Sequence, residues 1–165
     1  SSLDESNVPL RIIAGQEYNP DDLFPDRIVN IEEYTIAYTD GKPSIVGKPK
    51  VFIGKSNDEN FEMVINKKSR GATKQLARNS AERVVFNHSV IDMNLIINPF
   101  YFLPIGDKWR AQDVEITINV PEGGLIFIDR SMEQILSTDQ ELSDFWPDEM
   151  LGKTWVMKGD RLVER

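Results

Sequence analysis

His88 is where any catalytic or metal-binding reading of this chain has to begin. It is the only histidine, and there are no cysteines. Imidazole moves protons near neutral pH and binds zinc, but either task needs partner groups held close. Its sequence neighbours are Asn87, Ser89 and Asp92. No Gly-x-Ser-x-Gly elbow presents a serine nucleophile. The lack of cysteine excludes disulfides, thiolate zinc sites and cysteine nucleophiles together. His88 therefore reads as a strand residue with a polar edge.

The acids come next. Asp21, Asp22 and Asp26, and the tract Asp139, Glu141, Asp144, Asp148 and Glu149, offer oxygen ligands of the kind calcium takes. Neither group has the Asp-x-Asp-x-Asp-Gly spacing of an EF-hand loop, so both read as solvated acid. The 27 acids contain no motif that singles out a carboxylate pair for glycoside hydrolysis. The expectation is no catalytic residue, no metal and no cofactor.

Charge narrows the partners. A net charge of −8 opposes binding to nucleic acid and to anionic membrane surfaces, both of which need a basic field. Lys67, Lys68, Arg70, Lys74, Arg78 and Arg83 form a local basic cluster, which reads as the wet face of a helix and its preceding turn. Arg70, beside Gly71 at a turn, is suited to cap carbonyls or pair with an acid. Arg110 and Gln112, just before a strand, are placed for the same structural work, and Pro121 and Gly123 shape a turn. Aromatic residues are the remaining candidates. Phe100, Tyr101, Phe102 and Trp109 flank a Pro- and Gly-containing loop and Trp146 precedes Pro147. Exposed, they would make a partner-binding platform; buried, they would cap the core.

The elements that must position these residues are mostly strands. Residues 1–27 read as irregular, with one short apolar run at Leu10–Ala14 fit to make one strand. Tyr34, Ile36 and Tyr38 alternate until Thr39-Asp40-Gly41-Lys42-Pro43 ends the run. Val51 and Ile53, then Phe61, Met63 and Ile65, continue the strand signal. Thr73 is an N-cap for the one good helix, over 73–84, with Leu76, Ala77, Ser80, Ala81 and Val84 as its inner stripe. Short strands follow at Val84–His88 and Leu95–Ile97, and Phe100–Pro104 forms an aromatic loop. Val114, Ile116, Ile118 and Val120 alternate strictly with polar residues, as in a half-buried strand. The Pro121-Glu122-Gly123-Gly124 turn leads to a strand at Leu125–Ile128, expected to neighbour the strand before it. Thr138-Asp139-Gln140-Glu141 fits a capping box, and Pro147 is expected to end that helix early. Thr154–Met157 and Arg161–Val163 close the chain as a hairpin. Short strands at this spacing fit a sandwich, a barrel or a β-solenoid.

Several of these features match one family in order. They are Val51–Phe61 with its turn; Ser69-Arg70-Gly71 followed by Ala77 and Ala81; Leu95 and then Phe100-Tyr101-Phe102; Trp109-Arg110-x-Gln112-x-Val114 leading to Val120-Pro121-Glu122-Gly123 and Asp129; and the final Gly152-Lys153-Thr154-Trp155-Val156-Met157. Across roughly residues 50–157 the chain resembles the C-terminal extracytoplasmic region of Bacteroidetes-type PspC (phage shock protein C) membrane proteins. Residues 1–48 carry no such resemblance. It implies a mainly β toast-rack of stacked short strands, related to β-solenoids and adhesin-type domains, with a β-sandwich as the alternative. It also implies a non-enzymatic sensing or interaction domain outside the inner membrane, in a membrane-anchored parent, meeting a protein partner of the cell envelope. The family brings no catalytic residues. An adhesin or glycan-binding domain, and a hydrolase on a β scaffold, are the other readings. The start at Ser1-Ser2-Leu3, with no methionine, is what a piece or processed form of a longer protein would show. One domain over 1–165 is the simplest organisation.

Overall fold

The computed structural model describes residues 8–15, 27–31, 34–69, 73–104, 112–138 and 144–165. In chain order its strands are β1 (Leu10–Ala14), β2 (Arg27–Ile31), β3 (Tyr34–Thr39), β4 (Lys42–Gly47), β5 (Lys50–Lys55), β6 (Glu62–Lys68), β7 (His88–Ile91), β8 (Asn94–Ile97), β9 (Tyr101–Pro104), β10 (Asp113–Val120), β11 (Leu125–Ile128), β12 (Lys153–Lys158) and β13 (Arg161–Glu164). Helix α1 (Lys74–Glu82) follows β6, a 3₁₀ helix (Arg130–Gln134) follows β11, and α2 (Pro147–Met150) precedes β12. The strands form three sheets, ordered β13-β12-β11-β1-β8-β7, β5-β10-β6 and β2-β3-β4-β9. The architecture is mainly β, stacked and toast-rack-like, with little helix.

The strict alternation in β10 does what it should. Val114, Ile116, Ile118 and Val120 are buried and the polar residues between them are half-buried. β10 is the middle strand of its sheet, parallel to β5 and antiparallel to β6. Register therefore sets Ile116 between Val51 and Ile65, and Ile118 between Ile53 and Met63. Such cross-strand apolar rows are the unit of sheet stabilisation. These rows join one contiguous cluster with Ile12, Ile97, Ile126 and Trp155 of the six-stranded sheet and Tyr101 and Leu103 of β9.

Local chemistry explains the turns. Thr73 caps α1, its Oγ1 accepting from Leu76 N at 3.1 Å. The helix then buries Ala81 and Val84 just beyond it, but Leu76 stands exposed rather than in the inner stripe, and the helix is shorter than 73–84. Asp40 and Gly41, at φ +51° and +72°, form the two-residue hairpin loop between β3 and β4. The strand continues through Pro43, which faces Tyr38 and lies one position beyond the β4–β9 ladder, so its missing N–H costs no sheet bond.

Leu10–Ala14 forms the strand that its apolar run suggested, and β1 is an inner strand of the six-stranded sheet, parallel to both β8 and β11. Several other expectations are corrected. Val84–His88 forms no strand, only a bridge from Val85 to Phe102 before β7 starts at His88. The aromatic loop is largely strand, because β9 pairs with β4. β10 and β11 do not pair; the turn between them carries the chain from one sheet to another. Pro147 opens α2 instead of ending a helix, since the first helical position has no N–H to satisfy. The capping box proposed at Thr138 falls on residues 139–141, outside the described residues.

Gly47 is required by a close approach. It pairs with Tyr101 across β4 and β9, and a β-carbon there would enter the Tyr101 ring. Gly47→Ala is expected to destabilise the fold by roughly 1–3 kcal/mol through overpacking. In a denaturant titration its cost should be non-additive with that of Tyr101→Ala, whereas simple additivity would mean the two residues do not meet. Ile12→Ala should cost about 2–5 kcal/mol as a buried deletion; a cost under about 0.5 kcal/mol, normal for surface sites, would show β1 to be dispensable.

Candidate interaction surface

The aromatic candidates separate by environment. Tyr101 is buried, and its hydroxyl donates to the Gln112 carbonyl at 3.1 Å. Burial, and then the Asp113 carboxylate, push its phenol up from the ordinary value. Tyr101 is thus a core residue, which corrects its place among the partner-binding candidates. Phe100 and Phe102 are half-buried, and Phe102 is held by the Val85 bridge. Trp109 lies outside the described residues.

Trp146 is different, with 63% of its surface exposed. It sits at the N-terminal boundary of α2, where its backbone, not its ring, is tied down. Its N–H donates to Glu149 Oε2 at 2.8 Å, and its carbonyl accepts from Glu149 N at 3.0 Å. Phe145 beside it tilts onto Trp155, ring centroids 4.9 Å apart. Trp155 is fully buried and its indole N–H donates to the Met150 carbonyl at 3.0 Å. The exposed indole therefore stands on a frame tied into the core, with Asp144, Asp148 and Glu149 around it in sequence. Asp144 is bound by Arg161.

A second apolar surface was missed from the sequence. Val90, Ile91 and Met93 are exposed at the tip of the β7–β8 hairpin, where Ile91 pairs with Asn94 and Asp92 takes φ +52°. The Asp92-Met93 loop lacks the glycine that marks most two-residue hairpins. No alternation marks it either, since polar His88 and Ser89 are followed by two adjacent apolar residues, Val90 and Ile91.

His88 is half-buried and stacks on Phe86, ring centroids 6.2 Å apart. Among the described residues no group of three or more acids or histidines is placed to hold a metal. The basic cluster is divided. Lys67 donates to the Val84 carbonyl at 3.0 Å and Lys68 pairs with Glu115 at 2.8 Å, while Arg78 lines an open cleft of about 480 Å³ between β6 and α1. Of the residues expected to be structural, Gln112 and Pro121 are buried, and Gly123 turns at φ +76° with its N–H on the Met157 carbonyl at 2.8 Å. Arg70, Gly71 and Arg110 lie outside the described residues.

The turn holding Pro121 and Gly123 also anchors charge. Lys55 Nζ at the end of β5 meets Glu122 at 2.7 Å, and the other Glu122 oxygen accepts from Gly159 N at 3.0 Å. Hydrogen bonds from Lys55 and then Gly159 hold the Glu122 carboxyl below its ordinary value. Asp129 caps the 3₁₀ helix by accepting from Ser131 N at 3.0 Å, and bonds from the Ser131 side chain and backbone hold it low as well.

A match to known proteins settles the family. The model described as a toast-rack found in some PspC proteins matches residues 39–163. The chain belongs to the PspC C-terminal toast-rack family. The match starts at residue 39, so the end of β3 and all of β4 belong to the shared region that the sequence reading had begun near residue 50. No curated protein and no solved structure matches the chain. As a PspC toast-rack, it is a non-enzymatic extracytoplasmic domain of a PspC-type envelope-stress membrane protein. No helix among the described residues is long and apolar enough to cross a membrane.

The two lowered carboxyls predict that the PspC toast-rack loses stability in acid. A carboxyl with a depressed folded pKa stabilises the fold above its unfolded value, and loses that contribution as pH falls through the folded one. Melting temperature should therefore fall on titration below about pH 4, where ordinary carboxylates protonate. Glu122→Gln and Asp129→Asn should each melt lower at neutral pH and fall less on acidification. Variants whose melting curves stay parallel to the parent's down to pH 2–3 would exclude these groups as the source.

Proposed function

We propose that this domain stands on the periplasmic side of the inner membrane and works by docking a protein partner of the cell envelope, with Trp146 as its anchor. The observation that carries this reading is a large indole left mostly in water on a rigid mount. Tryptophan dominates binding energy where it fills a partner's pocket, and a backbone already held by hydrogen bonds loses little further freedom on docking. The acids beside it and the net charge of −8 favour a neutral or basic protein surface over anionic lipid. The weaker second candidates in this reading are Phe100 and Phe102, half-buried, with Trp109, which lies outside the described residues. Gln112, Pro121 and Gly123, with Arg70, Gly71 and Arg110, serve structure, and residues 1–165 act as one domain; the shared core cluster supports that.

The test places a photo-crosslinking residue at exposed position 148, beside an intact Trp146, in the membrane-embedded parent protein, with position 59 on the polar turn after β5 as control. A specific adduct with an envelope protein is expected at 148 and not at 59. Trp146→Ala should abolish the adduct and the stress output while changing stability by no more than about 0.5 kcal/mol. Equal labelling at both positions, or a full stress output from Trp146→Ala, would overturn the reading.

A further inference from the structure

Among the described residues, β1 is attached to the fold in a way that no other strand is. Its registered partners are residues 94–97 of β8 and 126–128 of β11, and both ladders are parallel. Around them, Arg11 N donates to the Met93 carbonyl at 2.8 Å, Gly15 N to the Ile97 carbonyl at 2.9 Å, Ala14 N to Ser131 Oγ at 3.0 Å, and Asp129 N to the Ile12 carbonyl at 3.0 Å. The slot therefore reads an extended strand mainly through backbone groups. Each of its two walls has a further partner, β8 pairing with β7, and β11 with β12, which pairs with β13. Of the buried core cluster β1 contributes Ile12 alone, with Leu10 and Ala14 packed at its edge. β1 also precedes the residues that match the family.

From this geometry we infer that the β1 slot is a strand-docking site between copies, and that β1 of one copy enters the slot of a second copy. The occupant follows from complementarity. A second copy's Leu10–Ala14 reproduces every ladder bond and the Ile12 contact, so exchange loses no interface that the monomer had, the condition under which strand swapping is cheap. Residues 15–26 separate β1 from β2 and span up to about 40 Å when extended, at 3.3–3.6 Å per residue. Copies anchored in one membrane share a plane, which raises the effective concentration for such exchange. This inference is independent of Trp146, and crosslinking at position 148 leaves it untouched.

The absence of cysteine makes a clean test possible. Arg11 is registered with Asn94 on one side and Phe127 on the other, and neighbouring strands lie within disulfide reach. Full-length chains carrying Arg11→Cys are mixed, at high protein concentration and under mild oxidation, with chains carrying Asn94→Cys, Phe127→Cys or, as control, Glu59→Cys. Circular dichroism first confirms that each variant folds. Mixed disulfide dimers with both slot positions, at least about tenfold above the Glu59→Cys mixture as expected for an aligned pair over random encounter, would establish exchange. Dimers with one slot position only, or with neither above control, would overturn it.

Discussion

Parallel pairing over long sequence distance is the constraint on which this structure depends. A parallel pair cannot be closed by a tight turn, so its strands must come from separated parts of the chain. β1 pairs with strands that lie more than eighty positions away, and β5 with β10 across sixty or more. Each such pair commits the intervening chain to a path that returns to the same core. The sheets therefore stack, and Ile12, Ile116 and Trp155 belong to one cluster although they come from three distant segments. The entropy lost in closing these loops grows only slowly with length, so the buried apolar rows can offset it.

This constraint also shapes the surface. Strands committed to a shared core leave their working features at turns and sheet margins, where loops can carry side chains without disturbing the ladders. Trp146 stands where the chain returns toward β12, Val90 and Ile91 at a hairpin tip, and the Lys55–Glu122–Gly159 contacts where three turns converge. The last group is a charged clasp rather than a catalytic arrangement. A binding role suits a PspC toast-rack built this way, because its rigid core presents side chains without a pocket designed around them.

Much of the local structure was legible. The β10 alternation, the Thr73 cap, the Asp40-Gly41 loop and the closing β12–β13 hairpin all depend on contacts within a few residues, which sequence displays directly. So does the acidic balance that disfavours nucleic acid. Trp146 was legible as a candidate because an indole beside a proline, among acids, has no periodic apolar neighbours to bury it. Tyr101 misled, since three adjacent aromatics in a Pro-flanked stretch resemble a loop. Only its pairing with Gly47, more than fifty residues earlier, makes it strand and core. Pro147 misled for a related reason: a proline signals a helix boundary without saying which end.

By itself the sequence determined that the chain is mainly β, that Thr73 caps a helix and that no thiol chemistry is possible, and it carried the resemblance to the PspC toast-rack that the family match then showed. Each of these rests on residue type, short spacing or the order of motifs. Tertiary structure alone decided that β1 is an inner strand, that β10 and β11 belong to different sheets, and which aromatic rings face water. Those outcomes depend on which distant backbone edges meet. A strand's residues specify that one face is apolar, but its hydrogen-bonding edges are chemically alike from strand to strand. The choice of partner is made only when the whole core closes.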